Sequence, residues 1–280
     1  MTLREWLARA EAELAAGPHP ERARRDAEAL LLHLVGKNRA WLVTHLDDNF
    51  AGCTAIGYAG MLKRRLAGEP IQYITGETEF YGLSFRVTSA VLIPRPETEH
   101  LVEAVLSLAA DFPAPRIVDI GTGSGAIAVA LAHKLPQAIV TAIDLFTDAL
   151  AVARENAVRN SVSIRFLQGD LLAAVAGESF DFIVSNPPYV PDSDRESLSV
   201  EVRDYEPAQA LFAGDDGLDV YRRLIPQAFA ALAPGGYLAL EIGYGQQDSV
   251  PALLAGSGFA QIETTPDLQG IPRVVTARRP

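Results

Sequence analysis

The sequence predicts an α/β fold: a mostly parallel sheet with helices on both faces, preceded by a small helical bundle. Three observations carry this reading. From Arg116 onward, short apolar runs alternate with helical stripes, which is the order of elements in a parallel sheet. Residues 1–67 show helical spacing alone. Between these regions, residues 71–93 are rich in Thr, Tyr, Phe, Val and Ile. The expected organisation is therefore an N-terminal helical domain over 1–67, a β-hairpin linker over 68–93 and the α/β domain over 94–280.

The first helix is marked by Leu3, Trp6, Leu7, Ala10 and Leu14, and Gly17-Pro18 ends it. Ala23, Ala27, Leu30, Leu31 and Leu34 form a second stripe, closed by Gly36, and shorter helical patterns follow around 41–46 and 55–66. These stripes read as the core of a bundle that packs, positions or recognises a partner. Nothing in them carries chemistry. Phe80 to Val87 suits a hairpin bending near Gly82. In the run Ile93-Pro94-Arg95-Pro96-Glu97-Thr98-Glu99, two prolines hold an extended lead-in. The two glutamates suit the first turn of a helix reaching about Ala110. Strands are then expected at 117–120, 139–143, 164–167, 180–185 and 237–242, with helices at 126–135, 148–159, 218–232 and 247–255. Two last strands are expected around 259–264 and 273–277.

Composition bounds the function. The 280 residues suffice for about two domains at roughly 150 residues each. With 24 Lys and Arg against 35 Asp and Glu, the formal charge is −11, which disfavours long-range attraction to nucleic acid. The single cysteine, Cys53, excludes an intrachain disulfide and fits a reducing compartment. The N-terminal stretch carries the charge pair Arg4-Glu5 where an export signal is apolar. The uncharged run Leu224–Leu240 contains Pro226, Pro234, Gly235 and Gly236, and is a poor membrane helix. A soluble, cytoplasmic protein with no membrane partner is expected. The five histidines are scattered, so no metal site is expected.

Four groups of residues point to chemistry. Asp119-Ile120-Gly121-Thr122-Gly123-Ser124-Gly125 follows a strand and opens a helix, where glycines let the backbone approach a ligand closely. The spacing G-x-G-x-G, with an acid two positions before the first glycine, departs from the G-x-G-x-x-G of dinucleotide folds and resembles the pattern of S-adenosylmethionine enzymes. Asp119 is expected to face the cationic methionyl end of that cofactor, directly or through water. Asp144, at the end of the next strand, is placed to accept from both ribose hydroxyls. Asp170 and Leu171, after the third strand, suit an adenine amino group and the ring beside it; a loop aspartate capping the next helix is nearly as good a reading.

The most informative group is Asn186-Pro187-Pro188-Tyr189, directly after the fourth strand. Two prolines there stop the ladder and stiffen the loop. The Asn186 side-chain oxygen and the Pro187 carbonyl become two fixed acceptors, which suit the NH₂ of a carboxamide or of a base. Tyr189 is expected to pack on that planar group.

These motifs resemble the class I methyltransferases that modify planar amide or amine nitrogens. The PRPETE run containing Arg95, the helical N-terminal region, Glu69–Gly76 and Asp267–Val274 narrow the resemblance. Over nearly its full length the chain resembles the HemK/PrmC family of protein-(glutamine-N5) methyltransferases, which act on bacterial class I peptide-chain release factors. The resemblance implies a class I S-adenosylmethionine-dependent fold and a glutamine substrate in a Gly-Gly-Gln tripeptide. Gly121 to Gly125 and Asp144 would hold S-adenosylmethionine, Asn186 to Tyr189 the glutamine amide, and Leu92–Arg95 would lie near the substrate. One departure is Leu171, where the family often carries an aromatic residue, so stacking on adenine is lost. The Asn-Pro-Pro-Tyr motif is shared with DNA adenine-N6 methyltransferases, the principal alternative, which the net charge disfavours. An NAD-dependent oxidoreductase leaves Asn-Pro-Pro-Tyr without a role. A non-catalytic adaptor that binds release factors or ribosomes is the remaining alternative.

Overall fold

The structure, a computed structural model, describes residues 1–280 apart from the side chain of Cys53. Thr2 opens helix α1 (Leu3–Leu14) with a reciprocal cap: its hydroxyl accepts from the Glu5 N–H, and the Glu5 carboxylate accepts from the Thr2 N–H. The stripe Leu3, Leu7, Ala10 and Leu14 is buried. It packs with Ala27, Leu30 and Leu31 of α2 (Ala23–Val35) and Leu62 of α4 (Cys53–Leu66) in one core. Gly36 ends α2 in the left-handed region, at φ +62°. Short helices α3 (Arg39–Thr44) and α5 (Ile71–Thr75) complete the bundle.

The chain forms two compact units, 1–76 with 198–205, and 77–197 with 206–280. The division falls at Gly76, inside the segment expected as a linker. Ile71 and Ile74 of α5 pack in the core of the helical unit, and Phe80 and Phe85 of the hairpin pack in that of the other. The helical unit also takes in helix α9 (Val200–Tyr205), which the sequence reading did not place. Its Glu201 meets Arg65, which is buried and also bound to Asp26 at 2.6 Å. A cation withdrawn from water is tolerable only with such paired partners.

In the second unit, β1 (Glu77–Phe80) and β2 (Leu83–Arg86) form the expected hairpin around Tyr81-Gly82. Helix α6 (Glu99–Leu108) follows one 3₁₀ turn at Pro96–Thr98. The large sheet contains β3 (Arg116–Ile120), β4 (Ile139–Asp144), β5 (Arg165–Gln168), β6 (Phe180–Ser185), β7 (Leu232–Glu241), β8 (Ala260–Pro266) and β9 (Pro272–Arg278). Their order is β5-β4-β3-β6-β7-β9-β8, parallel except that β9 runs antiparallel to both neighbours. Helices α7 (Ala126–Lys134), α8 (Thr147–Arg159), α10 (Asp219–Ala231) and α11 (Ser249–Gly256) connect the strands. Strand β7 begins earlier than expected, because Leu232 already pairs with Phe180 before an irregularity at Pro234–Gly236 resets the register to Phe182↔Tyr237.

Two cores lie on opposite faces of the sheet, one around Ile183, Tyr221 and Leu240, the other around Phe182, Val184 and Leu131. Neighbouring residues of β6 therefore face opposite cores, as a sheet covered on both sides requires. The chain runs outward from β3 through β4 to β5, then returns to the other side at β6. That reversal between β3 and β6 opens a crevice at the strands' carboxyl ends. Among the described residues, no helix is long and apolar enough to cross a membrane.

Candidate active site

The crevice holds a cavity of about 220 Å³. It is lined by the glycine turn after β3, Asp144 at the end of β4, Asp170 and Leu171 after β5, and Asn186 to Pro188 after β6. Each comes from the carboxyl end of a different strand, so the topology brings together residues that the sequence separates. At its floor, the Ser185 hydroxyl donates to the Ile120 carbonyl at 2.7 Å, tying β6 to β3 where their pairing stops.

The glycine turn is folded by its own backbone. The N–H groups of Gly121 and Thr122 both donate to the Ile143 carbonyl, at 2.9 and 3.0 Å, and Gly125 N–H donates to the Thr122 carbonyl at 2.8 Å. Gly121 sits at φ +70°, with open space where a side chain would stand. Only a residue without a Cβ leaves that space for a ligand while holding such a φ. Asp144 Oδ2 accepts from Gly123 N–H at 2.8 Å and Oδ1 from Phe146 N–H at 3.0 Å. Burial raises its pKa, and these backbone donors oppose the shift. Each carboxylate oxygen keeps lone-pair capacity for a further donor.

Asp119 lies beneath the turn, fully buried and outside the cavity lining. Its Oδ2 accepts from the Thr122 hydroxyl at 2.6 Å. Burial pushes its pKa up to about 7, against the pull of that hydrogen bond and the Ala128 backbone N–H. Gly125 is also outside the lining and packs beside Ala153 of α8. Asp170 lines the cavity and forms an ion pair with Arg223 at 2.5 Å. Leu171 lines it with φ +52°. Arg95 lines it as well, held at 2.6 Å by the buried carboxylate of Glu206.

The Asn-Pro-Pro-Tyr loop is held by side chains. Asn186 Nδ2 donates to the Thr98 hydroxyl at 3.1 Å, and Thr98 donates to Glu241 Oε2 at 2.6 Å. Tyr189 lies outside the cavity lining: its ring packs against the core and its hydroxyl donates to Glu241 Oε1 at 3.3 Å. Gln246 Nε2 donates to the Tyr189 carbonyl at 3.1 Å and to that of Gly217 at 3.2 Å. Any Cβ at Gly217 would stand 2.2 Å from the Tyr189 carbonyl oxygen, so glycine is required there. Thr98, Glu241 and Gln246 escaped the sequence reading. The available signal was Glu241, an acid closing the apolar strand Tyr237–Leu240 at the end where open sheets bind ligands.

The residues present fit S-adenosylmethionine. A backbone turn leaves open space at Gly121, a carboxylate with spare capacity stands beside it, and Leu145, Phe146 and Leu171 give the lining an apolar face. Among the described residues, no group of three or more His, Cys, Asp or Glu could hold a metal ion.

The chain is similar to known methyltransferases. The family described as "PrmC N-terminal domain" matches residues 5–76, and "Methyltransferase small domain" matches residues 98–203. A release factor glutamine methyltransferase from Koribacter versatilis is 43% identical over all of this chain and 99% of its own length. One from Moorella thermoacetica is 45% identical, again over all of this chain and 99% of its own. Among solved structures, the Thermus thermophilus 16S rRNA N2 G1207 methyltransferase, in complex with AdoMet and guanosine, aligns with TM-score 0.56 at 21% identity, over 73% of this chain and half of that one. A methyltransferase from Pyrococcus furiosus aligns with TM-score 0.53 at 20% identity, over 71% of this chain and 90% of its own. These two share the fold.

Proposed function

The chain belongs to the family of release factor glutamine methyltransferases, and from that premise we propose how its residues divide the work of methylating N5 of the glutamine in a Gly-Gly-Gln loop of class I release factors. The observation that carries the proposal is the Asn186–Pro187 pair lining the same cavity as the glycine turn. S-adenosylmethionine supplies, when bound, a methyl group already activated by its sulfonium. The glycine turn and Asp144 would hold it, Asp170 and Leu171 would hold its base, and Asp119 supports the turn through Thr122.

An amide nitrogen is a poor nucleophile because its lone pair is shared with the carbonyl. Asn186 Oδ1 and the Pro187 carbonyl accept the two substrate N–H groups. They fix the amide's orientation and favour the positive charge that grows on nitrogen during transfer. The stiff double proline keeps both acceptors in place without reorganisation. The product proton leaves to solvent, and no side chain is assigned as a base. Arg95, clamped by Glu206, lies where the substrate loop approaches. Such a substrate places the reaction in the compartment of translation, the cytoplasm.

The test incubates the protein with labelled S-adenosylmethionine and a bacterial class I release factor, beside the same factor with its Gly-Gly-Gln glutamine replaced. Label on the unaltered factor alone is the expected result. Label on both factors, or on adenine in DNA and on neither factor, overturns the proposal.

A further inference from the structure

Asn186 has two ends that look alike in shape and opposite in hydrogen bonding. Only the oxygen accepts a substrate N–H; the NH₂ group repels it. Rotation about the terminal side-chain torsion exchanges the two, and that torsion is intrinsically broad. Something must therefore select the orientation.

The selection is visible in the chain of hydrogen bonds behind the loop. Thr98 is 4% exposed and Glu241 1% exposed. The Thr98 hydroxyl has one proton, and at 2.6 Å it gives that proton to Glu241 Oε2. Toward Asn186 it can then only accept, so Asn186 must present Nδ2, at 3.1 Å. Oδ1 is left for the cavity. We propose that Thr98 and Glu241 are positioning residues: the Glu241 carboxylate, acting through the Thr98 hydroxyl, holds the Asn186 amide with its acceptor toward the substrate. The proposal rests on the reading of Asn186 as the acceptor for the glutamine amide.

The direction of the chain depends on one proton. A protonated Glu241 donates to the Thr98 oxygen; Thr98 then donates to Asn186 Oδ1, and the NH₂ turns toward the cavity. The groups around Glu241 frame this choice. Tyr189 donates to Oε1, Tyr221 donates to its backbone carbonyl at 2.7 Å, Arg273 favours its charge and Glu97 opposes it. Burial dominates and pushes the Glu241 pKa up to about 7. The carboxylate form is the competent one, so turnover rises with pH through this range.

The test measures kcat, KM for the release factor and S-adenosylmethionine affinity for the wild type, Thr98→Val, Thr98→Ser, Glu241→Gln and Asn186→Ala, with kcat followed from pH 5.5 to 8.5. Thr98→Val should lower kcat by about ten- to a hundredfold, leaving cofactor affinity within about twofold. Thr98→Ser, which restores the hydroxyl, should recover most of that loss. Wild-type kcat should rise with pH around 7, and Glu241→Gln should lose that inflection. Wild-type turnover in Thr98→Val, or an unchanged inflection in Glu241→Gln, overturns the proposal while leaving Asn186 as acceptor. Full turnover in Asn186→Ala overturns the reading beneath it. If Thr98→Val melts early, Thr98→Ser and the pH profile of Glu241→Gln decide.

Discussion

The glycine turn and the Asn-Pro-Pro-Tyr loop leave neighbouring strands, β3 and β6, and open on the same cavity, yet they are held differently. The turn uses main-chain bonds to Ile143 and Thr122 and one N–H donated to the Asp144 carboxylate, all nearer in the chain than the partners of the loop. The loop uses side chains brought from afar: Thr98 lies 88 positions from Asn186, and Gln246 lies 57 from Tyr189. A backbone turn survives most side-chain changes in its neighbours. A relay of hydroxyl, carboxylate and amide fails when one member is lost, because the partners left behind are buried and unpaired. The cofactor half is therefore the tolerant one, and the substrate half is exacting and sensitive to protonation.

The sharpest way to break this comparison is to disable one half at a time. Asn186→Ala should lower kcat by about 10²- to 10³-fold, the scale for losing one fixed transition-state partner. S-adenosylmethionine affinity, followed by calorimetry, should change by less than about threefold. Asp144→Ala should weaken cofactor affinity by about ten- to a hundredfold, the scale for charge-assisted hydrogen bonds. At saturating cofactor its kcat should fall far less. If both variants lose affinity and turnover in equal proportion, the two halves are not separable.

The same contrast explains what was legible in the sequence. Gly121, Gly123, Asp144 and Asn186 could be placed from local pattern, since each stands where an apolar strand ends and a turn begins. Most strands and helices were visible for the same reason: their periodicity is local. Helix α9 was not, because its six residues are too short a run to establish a helical period, and its Glu201 is held by Arg65, far away in the chain. Thr98 and Glu241 were hidden likewise. Nothing near Thr98 in the chain says that a carboxylate from β7 will accept its proton. Asp119 and Tyr189 were recognised as members of their motifs, but pattern does not say which side of a turn faces the ligand. The structure puts both behind it, where Asp119 Oδ2 accepts from Thr122 and the Tyr189 hydroxyl donates to Glu241.

Asp119 gives a stability test of the cofactor half. Its pKa is about 7 in the fold, against roughly 3.9 in an unfolded chain. Because the folded value is the raised one, the unfolded state releases the proton first, and stability falls as pH climbs from about 4 to 7. Asp119→Asn keeps an acceptor for the Thr122 hydroxyl and removes the buried charge. It should stabilise the cofactor-free protein at pH 8 by on the order of a few kcal/mol, and progressively less toward pH 5. Thermal unfolding by circular dichroism at both pH values checks this. An equal gain at both would mean that charge burial is not the cause.

Leu171 sharpens the comparison where the expected effect is smallest. It lines the cavity with a positive φ that costs leucine and phenylalanine alike, so exchanging them adds no backbone penalty. Leucine covers a base by apolar contact alone; an aromatic ring adds the offset stacking of two π faces, about 0.5–1.5 kcal/mol. Leu171→Phe should therefore tighten S-adenosylmethionine binding by about two- to tenfold. Adenosine, which lacks the methionyl end, should gain by the same factor, because the added contact is with the base. A gain for S-adenosylmethionine without one for adenosine would mean that position 171 touches the methionyl end. The assignment of the β5 loop to adenine would then fail, while the backbone-held turn would stand.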